Sequence, residues 1–283
     1  MPVLLALCAA LAFGTGDFLG GQAARRASAL ATAFVAQLTG LLLLALWVPA
    51  CVSGWPSGAQ LGWSVFAGLT GGVAALTLYP ALALGSASEV APLSAVIGTA
   101  LPVLFGLTRG ERPGTSAWIG IGLAALTLVL VSADGRRAPG DPRRRRRSLV
   151  LAATSGVFIG LFLVGFERAG AGLGALDRFV PLLVARASSV PLFGLALALR
   201  RERPWPARVS PVPAVLSGAA DISANGCFLL ALASGPLGLV ATLSNLYPAV
   251  TVLLGVIVLG ERPRPVQRLG LVLALVAIVL IAR

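Results

Sequence analysis

The sequence predicts an all-α integral membrane protein with ten transmembrane helices, arranged as two inverted five-helix repeats. Hydrophobic residues make up 57% of the 283 residues and charged residues only 11%, whereas soluble domains carry about 25% charged residues. Ten apolar segments follow one another along the chain, each near the ~20 residues that a helix needs to cross the hydrocarbon core. The two halves of the chain also share an internal repeat, which indicates a duplicated architectural unit.

The internal repeat has a constant offset of 150 residues. Residues 81–113 align with residues 231–263 without a gap, and 13 of the 33 positions are identical. Both copies end in a Gly-Glu-Arg-Pro tetrad, which is more informative than leucines and alanines shared by two apolar stretches. The tetrads are Gly110, Glu111, Arg112 and Pro113 in the first copy, and Gly260, Glu261, Arg262 and Pro263 in the second.

The apolar segments are bounded by proline, glycine and charged residues. Each segment is expected to be helical, because a chain inside the bilayer has to satisfy its own backbone hydrogen bonds. Pro113 and Pro263 follow the fourth and ninth segments, and prolines between residues 204 and 213 flank the link between the seventh and eighth. The segments run approximately over residues 3–22, 29–49, 60–83, 88–108, 115–132, 149–167, 179–199, 212–233, 237–259 and 266–282.

The most polar stretch, residues 134–147, joins the fifth segment to the sixth and contains five consecutive arginines. We expect it to be a mobile, solvated connector, because adjacent like charges repel one another. It divides the chain into a first five-helix repeat at 1–135, an Arg-rich linker at 136–147 and a second five-helix repeat at 148–283. An odd number of spans in each repeat gives the two repeats opposite orientations, the arrangement of many secondary transporters.

Several local sequences are similar to a known family. They are FGTGDFLGG at 13–21, VAPLSAV at 90–96, SGAADISAN at 217–225 and SNLYPAVTVLLGVIVLGERP at 244–263. Together with the two five-span halves and their tetrads, they resemble the EamA-type branch of the drug/metabolite transporter superfamily over essentially the whole chain. The resemblance implies ten helices around a central cavity, and export or exchange of small metabolites, often amino acids or drugs. The first half departs from the pattern, with Ile97-Gly98 where the second has Tyr247-Pro248.

Charge and residue types exclude several classes of function. All 22 basic residues are arginine, and histidine is absent. The net charge of +12 would suggest nucleic acid in a soluble chain, but here arginines between spans are expected to set membrane topology. The scattered cysteines suggest no metal site, and no Ser/His/Asp arrangement suggests catalysis. We therefore expect no enzyme activity, cofactor, metal or nucleic-acid partner.

The arginine count and the family resemblance disagree about orientation. Links that follow odd-numbered spans hold 16 arginines, and links that follow even-numbered spans hold 4. The positive-inside rule places the arginine-rich links in the cytoplasm and hence both termini outside. The resemblance implies both termini in the cytoplasm. Seven of the 16 arginines lie in the single central link, so the count depends heavily on one segment.

Polar side chains inside the spans are few, and each needs a reason because a polar group in hydrocarbon is costly. We expect these candidates to line a central cavity that binds substrate. Asp221 and Asn225 share one helix face, because they are four residues apart. The candidates are Asp17 in the first span, Gln37 in the second, Arg186 in the seventh, Asp221 and Asn225 in the eighth, and Asn245 and Tyr247 in the ninth.

Most candidates have a structural alternative, and Tyr247 is expected to be a packing or gate residue. Arg186 and Asp221 either form an ion pair between helices or also contact a charged or zwitterionic substrate. Asp17 is either a proton site or a hydrated residue near the membrane surface. Asn225 and Asn245 either bind substrate or tie helices together.

The glutamates of the tetrads, Glu111 and Glu261, are expected to end their spans through contacts with arginine or backbone groups, with direct ion coupling as the alternative. The GxxxG pairs that begin at Gly16, Gly68 and Gly156 predict close helix packing within one chain, or a homodimer face.

The sequence therefore predicts a secondary transporter that exports or exchanges small metabolites, amino acids or related compounds, by alternating access. Multidrug efflux and a non-transporting membrane protein are the alternatives. Aromatic residues are only 6% of the chain, and a cavity for large planar cations would want several of them beside an acidic group. The expected partners are a small-molecule substrate and the lipid bilayer, the expected location is the cell membrane, and the expected state is a monomer or homodimer.

Overall fold

The computed structural model describes residues 1–84, 87–131, 142–260 and 264–282, which leaves Glu261, Arg262 and Pro263 of the second tetrad outside the described residues. The described residues form eleven helices, with no strand among them. The helices are α1 (Pro2–Ala24), α2 (Ala29–Cys51), α3 (Gly58–Leu84), α4 (Ala87–Thr108), α5 (Thr115–Val131), α6 (Pro142–Gly170), α7 (Phe179–Arg200), α8 (Val212–Leu232), α9 (Leu237–Ser244), α10 (Tyr247–Leu259) and α11 (Pro265–Ala282).

Seven stretches of the described chain are long and apolar enough to cross a membrane, and the α9–α10 stretch counts as one of them. Three shorter apolar helices lie within α4, α5 and α11. The chain is therefore an all-helical membrane protein, as the sequence predicts. The seven long stretches are Pro2–Ala24, Ala29–Cys51, Gly58–Leu78, Pro142–Gly170, Phe179–Arg200, Val212–Leu232 and Leu237–Leu259.

The ninth apolar segment, predicted at 237–259, is one membrane-length stretch that is divided into two helices. α9 ends at Ser244 and α10 begins at Tyr247, with a two-residue turn between them. Pro248 explains the break, because its ring nitrogen cannot donate the hydrogen bond that the Ser244 carbonyl would otherwise accept. The first half has Gly98 at the corresponding position, and α4 continues through it without a break.

The Arg-rich linker is helical over residues 142–147, which corrects the expectation of a mobile connector there. α6 begins at Pro142, and the five arginines lie exposed in its first turns. Proline suits the first helical position because an N–H at that position needs no helical partner, and arginine is a good helix former. The helix also directs successive charges around its axis, which separates them. Residues 136–141 of the linker lie outside the described residues.

With α9 and α10 counted as one span, alternate links lie at opposite ends of the bundle. We call the end that contains the α2–α3, α4–α5, α6–α7 and α8–α9 links the arginine-poor end. We call the end that contains the α1–α2 and α7–α8 links and the start of α6 the arginine-rich end. At the arginine-poor end, Asp177 accepts hydrogen bonds from the backbone N–H groups of Ser53 at 2.9 Å and Gly54 at 3.2 Å. At the arginine-rich end, the Ser148 hydroxyl donates to the Ala81 carbonyl at 2.8 Å. Polar contacts thus join the two halves at both ends.

Helices of one half pack mainly on helices of the other half. α1 packs on α8 and α3 packs on α6, while α2 contacts both α7 and α8. α3 also packs on α7, α4 packs on α6, and both α9 and α10 pack on α1. α5 pairs with α11. The two halves are therefore interleaved, and they bury their cores against each other.

Glycines allow these interleaved helices to approach closely. A Cβ atom on Gly156 of α6 would lie 2.7 Å from the carbonyl oxygen of Ser94 on α4, which is too close for any side chain. A Cβ atom on Gly20 of α1 would lie 2.9 Å from the hydroxyl oxygen of Ser217 on α8. All three GxxxG pairs face helices of the same chain, since the pair that begins at Gly68 meets α7.

The glycines of the two tetrads end their helices in the same way. Gly110 follows α4 with φ 86°, and Gly260 follows α10 with φ 67°. Both values are left-handed, a conformation that glycine adopts without steric cost. After α4, the Glu111 N–H donates back to the Gly106 carbonyl at 3.0 Å, which is the pattern of a Schellman C-cap.

The turn at Gly110 directs the Glu111 carboxylate to the second half of the chain. The carboxylate accepts hydrogen bonds from the backbone N–H groups of Leu237 at 2.7 Å and Gly238 at 3.2 Å. These N–H groups begin α9, and the first N–H groups of a helix have no partner within the helix and favour negative charge. The backbone partner of Glu111, expected at the end of its own span, lies instead at the start of α9.

Glu111→Ala removes both hydrogen bonds to α9. Because loss of a side-chain helix cap costs roughly 0.5–2 kcal/mol, we expect the free energy of unfolding to fall by about 1 kcal/mol. Thermal unfolding of the detergent-solubilised protein measures the change. Arg112→Ala, at the next and exposed position, is the control. Equal midpoints for the two variants would contradict a capping role for Glu111.

Candidate functional site

A cavity of about 240 Å³ is lined by both halves of the chain. Its polar wall comes from α1, α2, α7, α8 and the break between α9 and α10, and its apolar wall comes from α3, α4 and α6. All seven candidates from the sequence line this cavity, and their role in binding a substrate stays a prediction. They are Asp17, Gln37, Arg186, Asp221, Asn225, Asn245 and Tyr247.

Arg186 is at the centre of the polar wall. It lies on α7, and its side chain is 8% exposed. One terminal nitrogen donates to the Asp221 carboxylate on α8, and the other donates to the side-chain oxygen of Gln37 on α2. Ser189, one turn along α7, also donates to the Gln37 oxygen at 3.3 Å. The ion pair that the sequence predicts is therefore present, and it joins three helices from both halves.

Asp221 and Asn225 lie one turn apart on α8. Asp221 is 35% exposed, whereas Asn225 is 1% exposed. The Asn225 side-chain N–H donates to the Asp221 backbone carbonyl at 2.8 Å. Within the described part of the chain, the Asn225 side-chain oxygen has no hydrogen-bond partner. A buried polar atom left without a partner costs about 1–3 kcal/mol. This oxygen is therefore an unused acceptor, and it is buried within the cavity wall with almost no accessible surface.

The break between α9 and α10 contributes two of the candidates. The Asn245 side-chain N–H donates to the Thr99 hydroxyl on α4 at 2.7 Å, so the contact that the structure shows for Asn245 is a tie between the halves. Tyr247 begins α10, and its ring packs against Phe13 of α1 with the ring centroids 6.1 Å apart. The Tyr-Pro pair therefore both breaks the helix and places an aromatic ring at the cavity.

Asp17 faces the cavity from α1 and is exposed to it. In the part of the chain that the structure describes, Asp17 has no hydrogen bond and no ion pair, and its titratable neighbours are Asp221 and Tyr247. Arg186 is the single basic residue among those that line the cavity, and it already bonds Asp221. The cavity therefore holds two carboxylates but one guanidinium.

The apolar wall of the cavity and Ser189 were not predicted from the sequence. Phe162 and Phe166 stand one turn apart on α6 with ring centroids 4.6 Å apart, and both line the cavity together with Gly68 and Gly72 of α3. Ser189 carried a usable signal, since it lies three residues after Arg186 on the same helix face. The phenylalanines gave no such signal, because an apolar residue in a span can face lipid, a neighbouring helix or a cavity.

An all-helical membrane protein with an ion-paired polar cavity between its halves has the architecture of a membrane transporter. The family model of the EamA-like transporter family matches residues 1–133 and 146–283. The chain therefore belongs to this family, as the local sequences suggest.

A solved structure shows the same fold. Its title is "Crystal structure of protein", and it superposes with a TM-score of 0.75, covering 99% of this chain and 95% of its own at 20% sequence identity. At that identity the likeness extends to the fold alone. No curated protein matches the chain.

The ion pair predicts unequal effects for its two single replacements. Asp221→Asn leaves the buried Arg186 guanidinium without a counter-ion, whereas Arg186→Met leaves a carboxylate that faces the cavity. We expect Asp221→Asn to destabilise the protein more, by about 3 kcal/mol. The double variant Arg186→Met/Asp221→Asn should recover most of this loss, because neither charge is then stranded.

Thermal unfolding in detergent compares the two single variants with the double variant. Ser223→Ala is the control, since Ser223 lies on the exposed face of α8. Losses of stability that simply add in the double variant would contradict a coupled ion pair.

Proposed function

We propose that the chain is a secondary transporter that exports or exchanges small metabolites, amino acids or related compounds, by alternating access through the central cavity. The observation that carries this proposal is a cavity between the two halves that has one polar wall and one apolar wall. The Asp221 carboxylate is exposed in the polar wall, and the unused Asn225 oxygen is buried within it. Such a cavity suits a small molecule that has a hydrogen-bond donor at one end and an apolar group at the other.

The proposed architecture is ten spans in two inverted repeats, at 1–135 and 148–283, joined by the linker at 136–147. The helix contacts support it, because they are preserved when the halves are exchanged and α9 with α10 is counted as the ninth span. The exchange turns the α1–α8 contact into α6–α3, the α2–α8 contact into α7–α3, and the α4–α6 contact into the contacts of α9 and α10 with α1. The matching left-handed glycines after α4 and α10 are further support.

The polar wall would hold the charged or polar end of the substrate. Rotation of the Asn225 side chain would expose its oxygen, which would then accept a hydrogen bond from an ammonium or hydroxyl group of the substrate. The exposed Asp221 carboxylate adds negative charge one turn away. Arg186 holds Asp221 in place rather than contacting substrate first, because both of its terminal nitrogens already have partners. The side chain of the substrate would lie against the apolar wall, beside Phe162 and Phe166.

Multidrug efflux is the runner-up, and one observation favours it. Phe13, Phe162, Phe166 and Tyr247 line the cavity together with two carboxylates, and aromatic faces beside acidic groups suit planar cations. The size of the cavity favours a smaller substrate. A volume of about 240 Å³ is below the ~300–1,000 Å³ that sites for drug-sized ligands occupy.

Alternating access requires the contacts at the ends of the bundle to break and form. Asp177 and Glu111 join the halves at the arginine-poor end, so these hydrogen bonds would open when the cavity is exposed at that end. The α9–α10 break supplies a point where one span can bend, as discontinuous helices do in other transporters. We further propose that the protein acts in the cell membrane as a monomer, because its GxxxG pairs are used within the chain.

An exchange assay tests the function. Proteoliposomes are preloaded with one unlabelled amino acid from a panel, and the radiolabelled form is added outside. We expect transient accumulation of label inside the proteoliposomes for at least one amino acid. The assay can be run without knowing the coupling ion, because labelled and unlabelled amino acid exchange through the same cavity. Uptake of planar cations without exchange of any amino acid would assign multidrug efflux instead, and absence of both would contradict a transport role.

Asn225→Leu is expected to reduce exchange about tenfold or more, because a hydrogen bond to a charged group contributes about 1.5–3 kcal/mol. Ser223→Leu, two residues away on the exposed face of the same helix, is the matched control and should keep the wild-type rate. Equal rates for the two variants, at equal amounts of reconstituted protein, would remove Asn225 from the proposed site.

A further inference from the structure

A second cavity, of about 190 Å³, lies beside the first along α1. It is formed between α1 and α10, and Asp17 lines both cavities. Its other polar residues are Gln22 and Arg25 on the α1 side and Thr251 on α10. A water molecule needs only about 10–15 Å³ of such space, so the second cavity has room for several.

The second cavity leads from the membrane interior to the arginine-rich end. Asp17, Gly21 and Arg25 are spaced by four residues and therefore lie on one face of the helical turns. Eight residues at ~1.5 Å each separate Asp17 from Arg25 by about 12 Å. Arg25 directly follows α1, so the second cavity extends from the depth of Asp17 to the helix end.

Asp17 has no positive partner in the part of the chain that the structure describes. The titratable groups that face it are Asp221 on α8 and Tyr247 on α10, and neither supplies a positive charge. Arg186, across the first cavity, is bonded to Asp221 and Gln37. A carboxylate without a counter-ion inside a membrane is costly, so a positive charge has to reach Asp17 from outside the wall of the cavity.

We propose that Asp17 is the site at which a coupling proton binds, and that this proton arrives through the second cavity from the arginine-rich end. The proposal rests on the proposed transport function. The carboxylate takes a proton from a hydronium ion, which leaves a water molecule, and becomes a neutral carboxylic acid. Release of the proton to water reverses the step. A proton is relayed along a short chain of water molecules, whereas a metal ion or an ammonium group would have to move as a whole ion past the Arg25 guanidinium.

Binding of the proton balances the charge of the first cavity. With Asp17 ionised, the lining residues carry two negative charges and one positive charge. With Asp17 neutral, Asp221 and Arg186 remain as a complete pair. At the arginine-poor end, Asp177 and Glu111 join the halves, whereas the second cavity leads from Asp17 to Arg25 at the arginine-rich end. Coupling to a proton gradient requires that, in any one conformation, the proton reaches its site from only one side of the membrane.

Labelling of an introduced cysteine tests the route. Gly21 lines the second cavity, and a Cβ atom there would meet nothing within 4 Å, so Gly21→Cys fits without strain. The background carries Cys8→Ser, Cys51→Ser and Cys227→Ser, and the reagent is a membrane-impermeant methanethiosulfonate applied to sealed vesicles. Ala207→Cys marks the arginine-rich end and Ala171→Cys marks the arginine-poor end, since both positions are exposed in links.

We expect Gly21→Cys to be labelled from the same side as Ala207→Cys and not from the side of Ala171→Cys. Thr251→Cys, on the opposite wall of the second cavity, is the second variant and should give the same result if Gly21→Cys fails to fold. Labelling from the side of Ala171→Cys, or from neither side, overturns the route.

Reaction with dicyclohexylcarbodiimide tests the proton site in the wild-type chain. This apolar carbodiimide takes the proton of a carboxylic acid and bonds to its oxygen, whereas a carboxylate does not react. Mass spectrometry should find the adduct on Asp17, with a yield that falls as the pH rises because the acid form disappears. Asp221, held by Arg186, should carry at least tenfold less adduct, and Asp17→Asn should carry none at position 17. Lack of adduct on Asp17 at every pH overturns the proposal.

Neither measurement uses a transported substrate, so the two proposals fail separately. If the protein exchanges amino acids but Asp17 does not react and Gly21→Cys is not labelled, the transport function stands and the proton site is removed. If Asp17 reacts and Gly21→Cys is labelled but the protein exchanges nothing, the proton site stands and the transport function is removed.

Discussion

A guanidinium in the interior of a membrane protein has to be surrounded by acceptors, and this constraint organises the centre of the structure. Arg186 meets it with the Asp221 carboxylate and the Gln37 amide, which lie on two other helices. The pair fixes α2, α7 and α8 relative to one another and joins the halves. It also turns one face of α8 toward the cavity, which places Asn225 in the wall with an oxygen that no described residue satisfies.

Outside this polar centre, the helices of the bundle pack on one another through small and apolar residues. Glycines bring α1 against α8 and α6 against α4, so the helices approach closely by contacts that contain no charge. Charged groups outside the centre act at the ends of the bundle, where Glu111 caps α9 and Asp177 holds the α2–α3 link. Contacts at the ends are near water and are cheaper to exchange than contacts at the centre. This division suits a protein whose ends open while its centre keeps its pairing.

Much of this could be predicted from the sequence, because the bilayer restricts the choices. A segment of about 20 apolar residues has to be a helix, and two charges in neighbouring spans have to find each other. Other features depend on contacts between residues that are far apart in the sequence, which no local pattern reveals. The partner of Glu111 lies 126 residues away along the chain, and the two residues meet only in the folded structure. The break before Tyr247 had a visible cause in Pro248, but a proline also occurs inside α2, α3 and α7, which continue without interruption.

The most direct measurement of the central claim is an experimental structure of the protein with its exchanged amino acid bound. The account predicts density for the amino acid in the cavity between Arg186 and Phe162, with a donor of the ligand within hydrogen-bond distance of the Asn225 oxygen and the Arg186–Asp221 pair intact. Density outside this cavity, or a ligand that displaces Asp221 from Arg186 while leaving the Asn225 oxygen without a partner, would contradict it.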